Sequence, residues 1–342
     1  MEQQEQQQQE QQRHIKDGRE DDNINSPVGD GPGQTAESLL ARELNKLSFQ
    51  EREIIHEEIH GIGVGRARWS GSADDLDRSL RDLQTELDAL CSLSSQNNNN
   101  DNSSNNNNGI AVAFRTSQEL FGETTYLNAR DTRIMFLRSE RFDSRRAALR
   151  LCRFASLVKD AFGTLGLERN IELSDFSEHE LALMKRGHVQ ILSARDRSGR
   201  KIYVFFSSEE WDELPVKTRT RIRFYYTISV VREDPDALSR GVVLLVWMHN
   251  YEIRIEAFIE KAKLNNLFSH AMPINFGAIH VLIPSSTDSE RRLWNFSFGK
   301  VIASLAQKLK AHIRLHWGTY MHAFALVSSK KTSNDERRSN RN

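Results

Sequence analysis

The densest run of metal-binding residue types is His56-Glu57-Glu58-Ile59-His60. On a helix this H-E-x-x-H spacing sets two imidazoles one turn apart, and in zinc proteases the glutamate between them is the general base. Gly63 falls where the longer H-E-x-x-H-x-x-G-x-x-H pattern has its glycine, but the third ligand position holds Arg66, a cation that cannot bind zinc. The motif also follows a polar tract, so no upstream sheet is expected to hold a peptide substrate. Charged residues spaced along a surface helix are the simpler reading. Gly61, Gly63 and Gly65 resemble a phosphate loop but follow a helix instead of a strand, where glycines serve as terminators.

His249, His280, His312 and His316 lie at or near expected strands, and regular alternation puts His312 and His316 on one face. No carboxylate or cysteine recurs beside them at ligand spacing, so they read as surface or satisfied core histidines before a metal or proton-shuttle site. The expected strands run into Ser207-Ser208-Glu209, His249-Asn250 and Pro284-Ser285-Ser286, none of them a glycine-rich dinucleotide turn. A G-x-S-x-G elbow is missing as well. Cys91 and Cys152 are the two cysteines; they give neither a disulfide framework nor ligand spacing and fit a reducing compartment. The expectation is a protein without catalytic residues, metal or cofactor.

Composition narrows the partners. Lysine plus arginine and aspartate plus glutamate number 47 each, which argues against a nucleic-acid binder dependent on a basic excess. Met1-Glu2-Gln3-Gln4 opens no signal peptide, and no apolar run approaches the ~20 residues of a membrane span. A soluble, cytoplasmic protein that touches membranes peripherally is expected. Residues 1–36 (Gln-rich), 96–108 (Asn-rich) and 328–342 are too polar to offset their ordering entropy and read as disordered tethers, with recruitment of protein partners as the sharper alternative.

The elements that must position any site follow from periodicity and caps. Within a helical segment 37–95, Ser48 and Glu51 form an S-x-x-E capping box, and the helix they open stops at Gly61. The next helix carries Leu76, Leu80, Leu83, Leu87 and Leu90, with Asp74–Arg78 and Asp77–Arg81 pairs at i,i+4. So short a seam packs on its own domain before it forms a coiled coil. Residues 115–166 read as helical. Then the pattern changes: 188–193 and 201–206 are strands joined by the Asp196-Arg197-Ser198-Gly199 turn, a helix spans about 218–231, and 242–248 is a strand buried on both faces. A helix over 253–268, a strand over 276–283, a helix capped by Thr287 and Glu290 reaching Leu309, and a strand over 313–317 complete the series. The alternation predicts an α/β fold: a mixed, mainly parallel sheet flanked by helices on both faces, over 167–327, preceded by an all-helical N-terminal segment.

Asp131-Thr132-Arg133-Ile134-Met135-Phe136-Leu137-Arg138-Ser139-Glu140-Arg141-Phe142-Asp143, followed by Arg146 and Ala147, resembles the helical signature L-R-F-L-R-A-R-x-F-D of the CRAL-TRIO lipid-binding family. Asp196–Phe206 is similar to that family's D-x-x-G-R-P-V-Y segment, with Lys201 in place of proline. Gly241–Met248, Pro273–Ile283 and His312–Tyr320 are similar to its central, penultimate and last strands. The resemblance covers roughly 115–327 and implies a lipid-binding fold in which a helix closes a deep apolar pocket. Ile274, Asn275 and His312 depart from the family's phosphoinositide-binding pattern, and Trp247-Met248-His249 stands where a carboxylate is common, so the headgroup is unassigned.

Under that resemblance, Trp247, Met248, Phe258 and Phe276 are candidate walls, and Trp294, Phe298 and Ile302 belong to the gate. The gate helix also carries Leu293, Phe296, Val301 and Leu305, apolar around more than one face; a helix sunk in a core has the same pattern, whereas a gate would turn its second face to lipid. Arg145, Arg146, Lys217, Arg219, Arg221 and Arg223 would dock on an anionic membrane surface or form solvated, acid-paired faces. The expected ligand is a lipid or another hydrophobic small molecule. The alternative is a protein-interaction module that kept the fold and filled the pocket with its own side chains.

Overall fold

Caps written into the sequence fix where the N-terminal helices begin. The computed structural model describes residues 35–61, 72–96, 109–234, 236–248, 255–284, 287–305 and 307–318. The chain divides into two compact units, Met1–Gly33 and Gln34–Asn342, and every described residue lies in the second. Residues 1–34, 97–108 and 328–342, expected as tethers, lie outside the described residues, as do Gly63, Gly65, Arg66 and His249.

Helix α1 (Ala36–Asn45) starts where the Thr35 hydroxyl accepts the Ser38 N–H at 3.2 Å, one orphan donor of the first turn satisfied. It begins inside the stretch expected to be a tether. Helix α2 (Phe49–His60) opens with the expected Ser48/Glu51 capping box and ends at Gly61, whose φ of 68° is left-handed. Helices α3 (Ala73–Gln96), α4 (Val112–Phe121), α5 (Arg130–Ser139) and α6 (Ser144–Phe162) follow. The leucine seam of α3 packs within its own unit: Leu83 and Leu87 are fully buried and the helix lies on α6. Its charges pair differently from expectation, Arg78 with Asp75 at i,i+3 and Asp77 with Arg130 at 2.6 Å.

The segment expected as helical over 115–166 is interrupted at Gly122 and again at Arg141 and Phe142, both at positive φ. That left-handed pair costs roughly 1–2 kcal/mol per residue. Arg141 is held there by Glu58 at 2.7 Å. The turn aims α6 across the domain, where Phe154 packs edge-on to Phe136 at 5.2 Å and beside Phe224 at 5.7 Å.

The α/β half continues with α7 (Leu165–Glu168), α8 (Glu178–Lys185), β1 (Val189–Arg195), β2 (Lys201–Ser207), α9 (Glu209–Glu213), α10 (Val216–Glu233) and α11 (Asp236–Arg240). Then come β3 (Val242–Met248), α12 (Ile255–Ala271), β4 (Phe276–Pro284), α13 (Asp288–Ser304), α14 (Gln307–His312) and β5 (Ile313–Gly318). The five strands form a mixed, mostly parallel sheet in the order β1-β2-β3-β4-β5: β1 runs antiparallel to β2, and the rest are parallel. As expected, β3 is buried on both faces, through Leu244 and Met248 on one and Val243 and Leu245 on the other.

Strands laid down in sequential order with crossovers of one hand keep their connecting helices on one face. Helices α10, α12, α13 and α14 accordingly share a face of the sheet. The other is covered by α2, whose Ile55 and Ile59 pack on Ile202, Val204, Leu245 and Leu282. The helix expected to run unbroken to Leu309 breaks at Leu305, which is extended at ψ 151°. Side chains take the freed carbonyls: Asn266 Nδ2 donates to Ser304 O at 3.1 Å and Lys310 Nζ to Ala303 O at 3.2 Å. Among the described residues no helix is long and apolar enough to cross a membrane.

Candidate binding cavity

Strand register lays out the site. Tyr203, Leu244, Ile279 and Ile313 are consecutive partners across the sheet, and alternation puts them all on the face under the crossover helices. The next row on that face carries Phe205, Val246 and Val281, and Ser207 pairs with Met248 at the strand ends. Above these rows the helices stand off from the sheet and leave a small cavity of about 90 Å³. That is below the usual range for small-molecule pockets, about 300–1,000 Å³, so a larger ligand enters only if the roof moves outward.

Polarity is segregated around the cavity. What β4, β5, α13 and α14 contribute is wholly apolar, including Phe276, Phe298, Ile302, Leu305 and Leu309. The polar contributions, Tyr203, Ser207, Arg219, Arg223 and Asn265, come from β2, α10 and α12. Helix α10 delivers its two arginines because 219, 223 and 227 recur every four residues on its buried stripe.

The two arginines differ. Arg219, 3% exposed, donates to Glu260 at 2.8 Å and lies 3.9 Å from Asp212. Arg223, 8% exposed, donates to the neutral Asn265 at 2.8 Å and lies over the ring of Phe268, 4.7 Å from its centroid. Among the described residues no carboxylate lies within ion-pair distance of Arg223, and its Nε is buried without a hydrogen-bond partner. Burial pushes the Arg223 pKa down, with the neighbouring Tyr203 opposing it. The Tyr203 hydroxyl sits beside Arg223 and Thr227 without a well-formed hydrogen bond, and burial raises its pKa.

Helix α13 roofs the cavity. Phe298 and Ile302 face inward; Trp294, also buried, sits 6.0 Å from Phe298 outside the lining, while Leu293 and Phe296 are exposed on the outer side. A clasp from α1 holds this roof. The Glu37 carboxylate accepts from Arg291 at 3.1 Å, Asn295 at 2.8 Å and Trp317 at 2.9 Å. Burial pushes the Glu37 carboxyl up, but these hydrogen bonds outweigh it and hold its pKa below the usual carboxylate value.

Of the expected wall residues, Met248 and Phe276 line the cavity, as do the gate residues Phe298 and Ile302. Trp247 is a correction. It packs with Phe206 on the α2 face, 5.9 Å between rings, because adjacent strand residues point to opposite sides. The side chain of Phe258 lies outside the described residues. The membrane-docking reading fails for three arginines. Arg219 and Arg223 are buried in the cavity wall, and Arg221 pairs with Glu180 at 2.6 Å beneath Phe162 and Phe176. Arg145, paired with Glu86 at 3.2 Å, and Arg146 are exposed on the first turn of α6, and Lys217 is exposed on α10.

The histidines gather on the opposite face. The His56 and His60 rings meet at a tilt, 4.4 Å between centroids, while Glu58 turns to His312 at 2.8 Å and to Arg141. The His312 hydrogen bond chiefly holds the Glu58 carboxyl below its usual range. His280 Nδ1 lies 2.9 Å from His316 Nε2, so one ring donates to the other. Burial, then the charges of His316, Arg200, Arg314 and His60, push His280 down to about 4. Among the described residues no three His, Cys, Asp or Glu side chains group as metal ligands. Cys152, buried in α6, has its thiol pushed up to about 12 by burial.

No protein-family model and no curated protein sequence matches the chain.

Proposed function

We propose that this is a non-enzymatic, cytoplasmic binding protein of the CRAL-TRIO kind that shields a lipid in the cavity and carries it between membranes. The observation that carries this reading is the cavity between the sheet and helices α10, α12 and α13, lined chiefly by apolar side chains. Its polar groups are chiefly donors, and an arginine cannot serve as a general base, so they suit holding a ligand better than moving protons. The roof helix has the two-sided character a gate needs: Phe298 and Ile302 meet the ligand, and Leu293 and Phe296 meet the bilayer when the protein docks. The helical signature at 131–147 and the strand segments that resemble the family support the same reading.

The test is organic extraction and mass spectrometry of the purified full-length chain, followed by a transfer assay between donor and acceptor vesicles. The expected outcome is co-purification of an acyl-chain compound and transfer faster than without protein. No bound lipid together with no transfer would overturn the reading and favour the protein-interaction module.

A further inference from the structure

The cavity is amphipathic, and that asymmetry says what its ligand must look like. One wall, built by β4, β5, α13 and α14, offers hydrocarbon alone. The opposite wall holds two buried guanidinium groups. Arg219 sits with Glu260 and Asp212, so its charge is answered from within the protein. Among the described residues Arg223 meets the Asn265 amide, the Phe268 ring face and the Tyr203 phenol, all neutral groups that leave its charge uncompensated.

A buried cation without a counter-ion is strongly disfavoured unless something in its surroundings supplies the charge. An arginine also keeps its proton where a lysine would give it up. The missing charge is therefore expected from the cavity's occupant.

Resting on the lipid-binding reading above, we infer that the ligand is a single-chain amphiphile with a monoanionic carboxylate head, a long-chain fatty acid, bound head-inward with its carboxylate on Arg223 and its tail along α13. One guanidinium with no carboxylate partner among the described residues matches one negative charge. Planar carboxylate and planar guanidinium also match in shape, whereas a dianionic phosphate would need a second unanswered cation. The tail then lies against Phe298, Ile302 and Leu305, with Ile279 and Ile313 of the sheet below it.

The test uses the full-length chain, stripped of endogenous lipid on a hydrophobic exchange resin and titrated calorimetrically at neutral pH with oleate, oleyl alcohol and oleyl phosphate. Oleate is expected to bind roughly tenfold or more tighter than the alcohol, the usual worth of a charge-assisted hydrogen bond. Arg223→Met should erase that preference while leaving alcohol binding in place. The apo variant should melt no lower than the parent, since an apolar side chain removes an uncompensated charge. Should Arg223→Met not fold, Arg223→Lys keeps the charge without the fork and is expected to lose severalfold of the preference.

Equal affinity for oleate and oleyl alcohol, or a preference that survives Arg223→Met, would overturn the carboxylate pairing and leave the apolar pocket standing. Tighter binding of oleyl phosphate than of oleate would overturn the carboxylate in favour of a phosphate head. If none of the three binds, the pocket reading falls with it.

Discussion

The two faces of the sheet solve the same problem, a buried arginine, in opposite ways. Under α2, Arg200 is 2% exposed and fully occupied: it pairs with Asp196 at 2.7 Å and donates to the Glu58 and Ile59 carbonyls at the end of α2. A cation at a helix C-terminus also meets the negative end of its dipole. The turn is tight enough that Ser198 Oγ donates to Gly61 O at 2.7 Å, and a β-carbon at Gly61 would collide with that hydroxyl. Under α10 and α13, Arg223 has neutral partners and an adjoining void. The α2 face has spent its polar groups on itself and is structural. The other face holds a buried guanidinium with only neutral partners among the described residues, which is why the proposed ligand is placed there.

The largest expected effect tests whether the α2 face is structural. Arg200→Ala strands the Asp196 carboxylate and two helix-terminal carbonyls, and should cost roughly 3–5 kcal/mol. Urea unfolding measures this; a loss under 1 kcal/mol would mean that the clamp is incidental.

A matched pair of insertions comes next. Leu245→Trp, on the filled face, should destabilise by roughly 1–3 kcal/mol through overpacking. Ile302→Trp has empty space to enter, so it should cost less while abolishing ligand uptake in the transfer assay. Equal stability losses at the two positions would erase the distinction between the faces.

The smallest effect near neutrality is in proton linkage on the α2 face. With His280 pushed down to about 4, the unfolded chain binds a proton that the folded chain refuses as pH falls below its ordinary value of 6.5. Stability therefore falls with pH, by roughly 0.5–1 kcal/mol per such group between pH 7 and 6. Replacing His280 with asparagine should flatten that slope, read from urea midpoints at the two pH values. An unchanged slope would place the titration elsewhere.

Periodicity made the sheet legible. The run 242–248 announced a strand covered on both sides, and the Thr287/Glu290 box placed the start of the roof helix. The cavity was half legible. Met248, Phe276, Phe298 and Ile302 stood out as large apolar groups, but naming Trp247 and Met248 as one wall overlooked the two-residue period that separates them.

The arginines were misplaced because a run of basic residues on a helix looks solvated. The signal was present nonetheless. Thr227 and Val231 continue the step of four from Arg219 and Arg223, so the basic pair lies on the helix's buried stripe while Lys217 lies off it. What no local pattern could give is the distance between segments. That Glu58 would meet His312, or Glu37 would clasp Arg291 and Trp317, depends on the fold bringing together residues 254 or more positions apart.

The sequential strand order also has a consequence for how the molecule assembles. Each unit on the cavity side closes over a short stretch of chain, as when Tyr203 of β2 pairs with Leu244 of β3. The α2 face is closed from afar, with Arg200 reaching back 141 residues to Ile59. Loop-closure entropy grows so slowly with length that the longer loop costs only about 1 kcal/mol more. Its effect is on timing, since contacts between distant segments form late. Synthesised first, α2 must wait for the strands it will cover, leaving Val243, Leu245 and Leu282 bare during that interval. A nascent chain would thus complete its cavity side before its protective side, and the apolar underside of the sheet is where a chaperone would be needed.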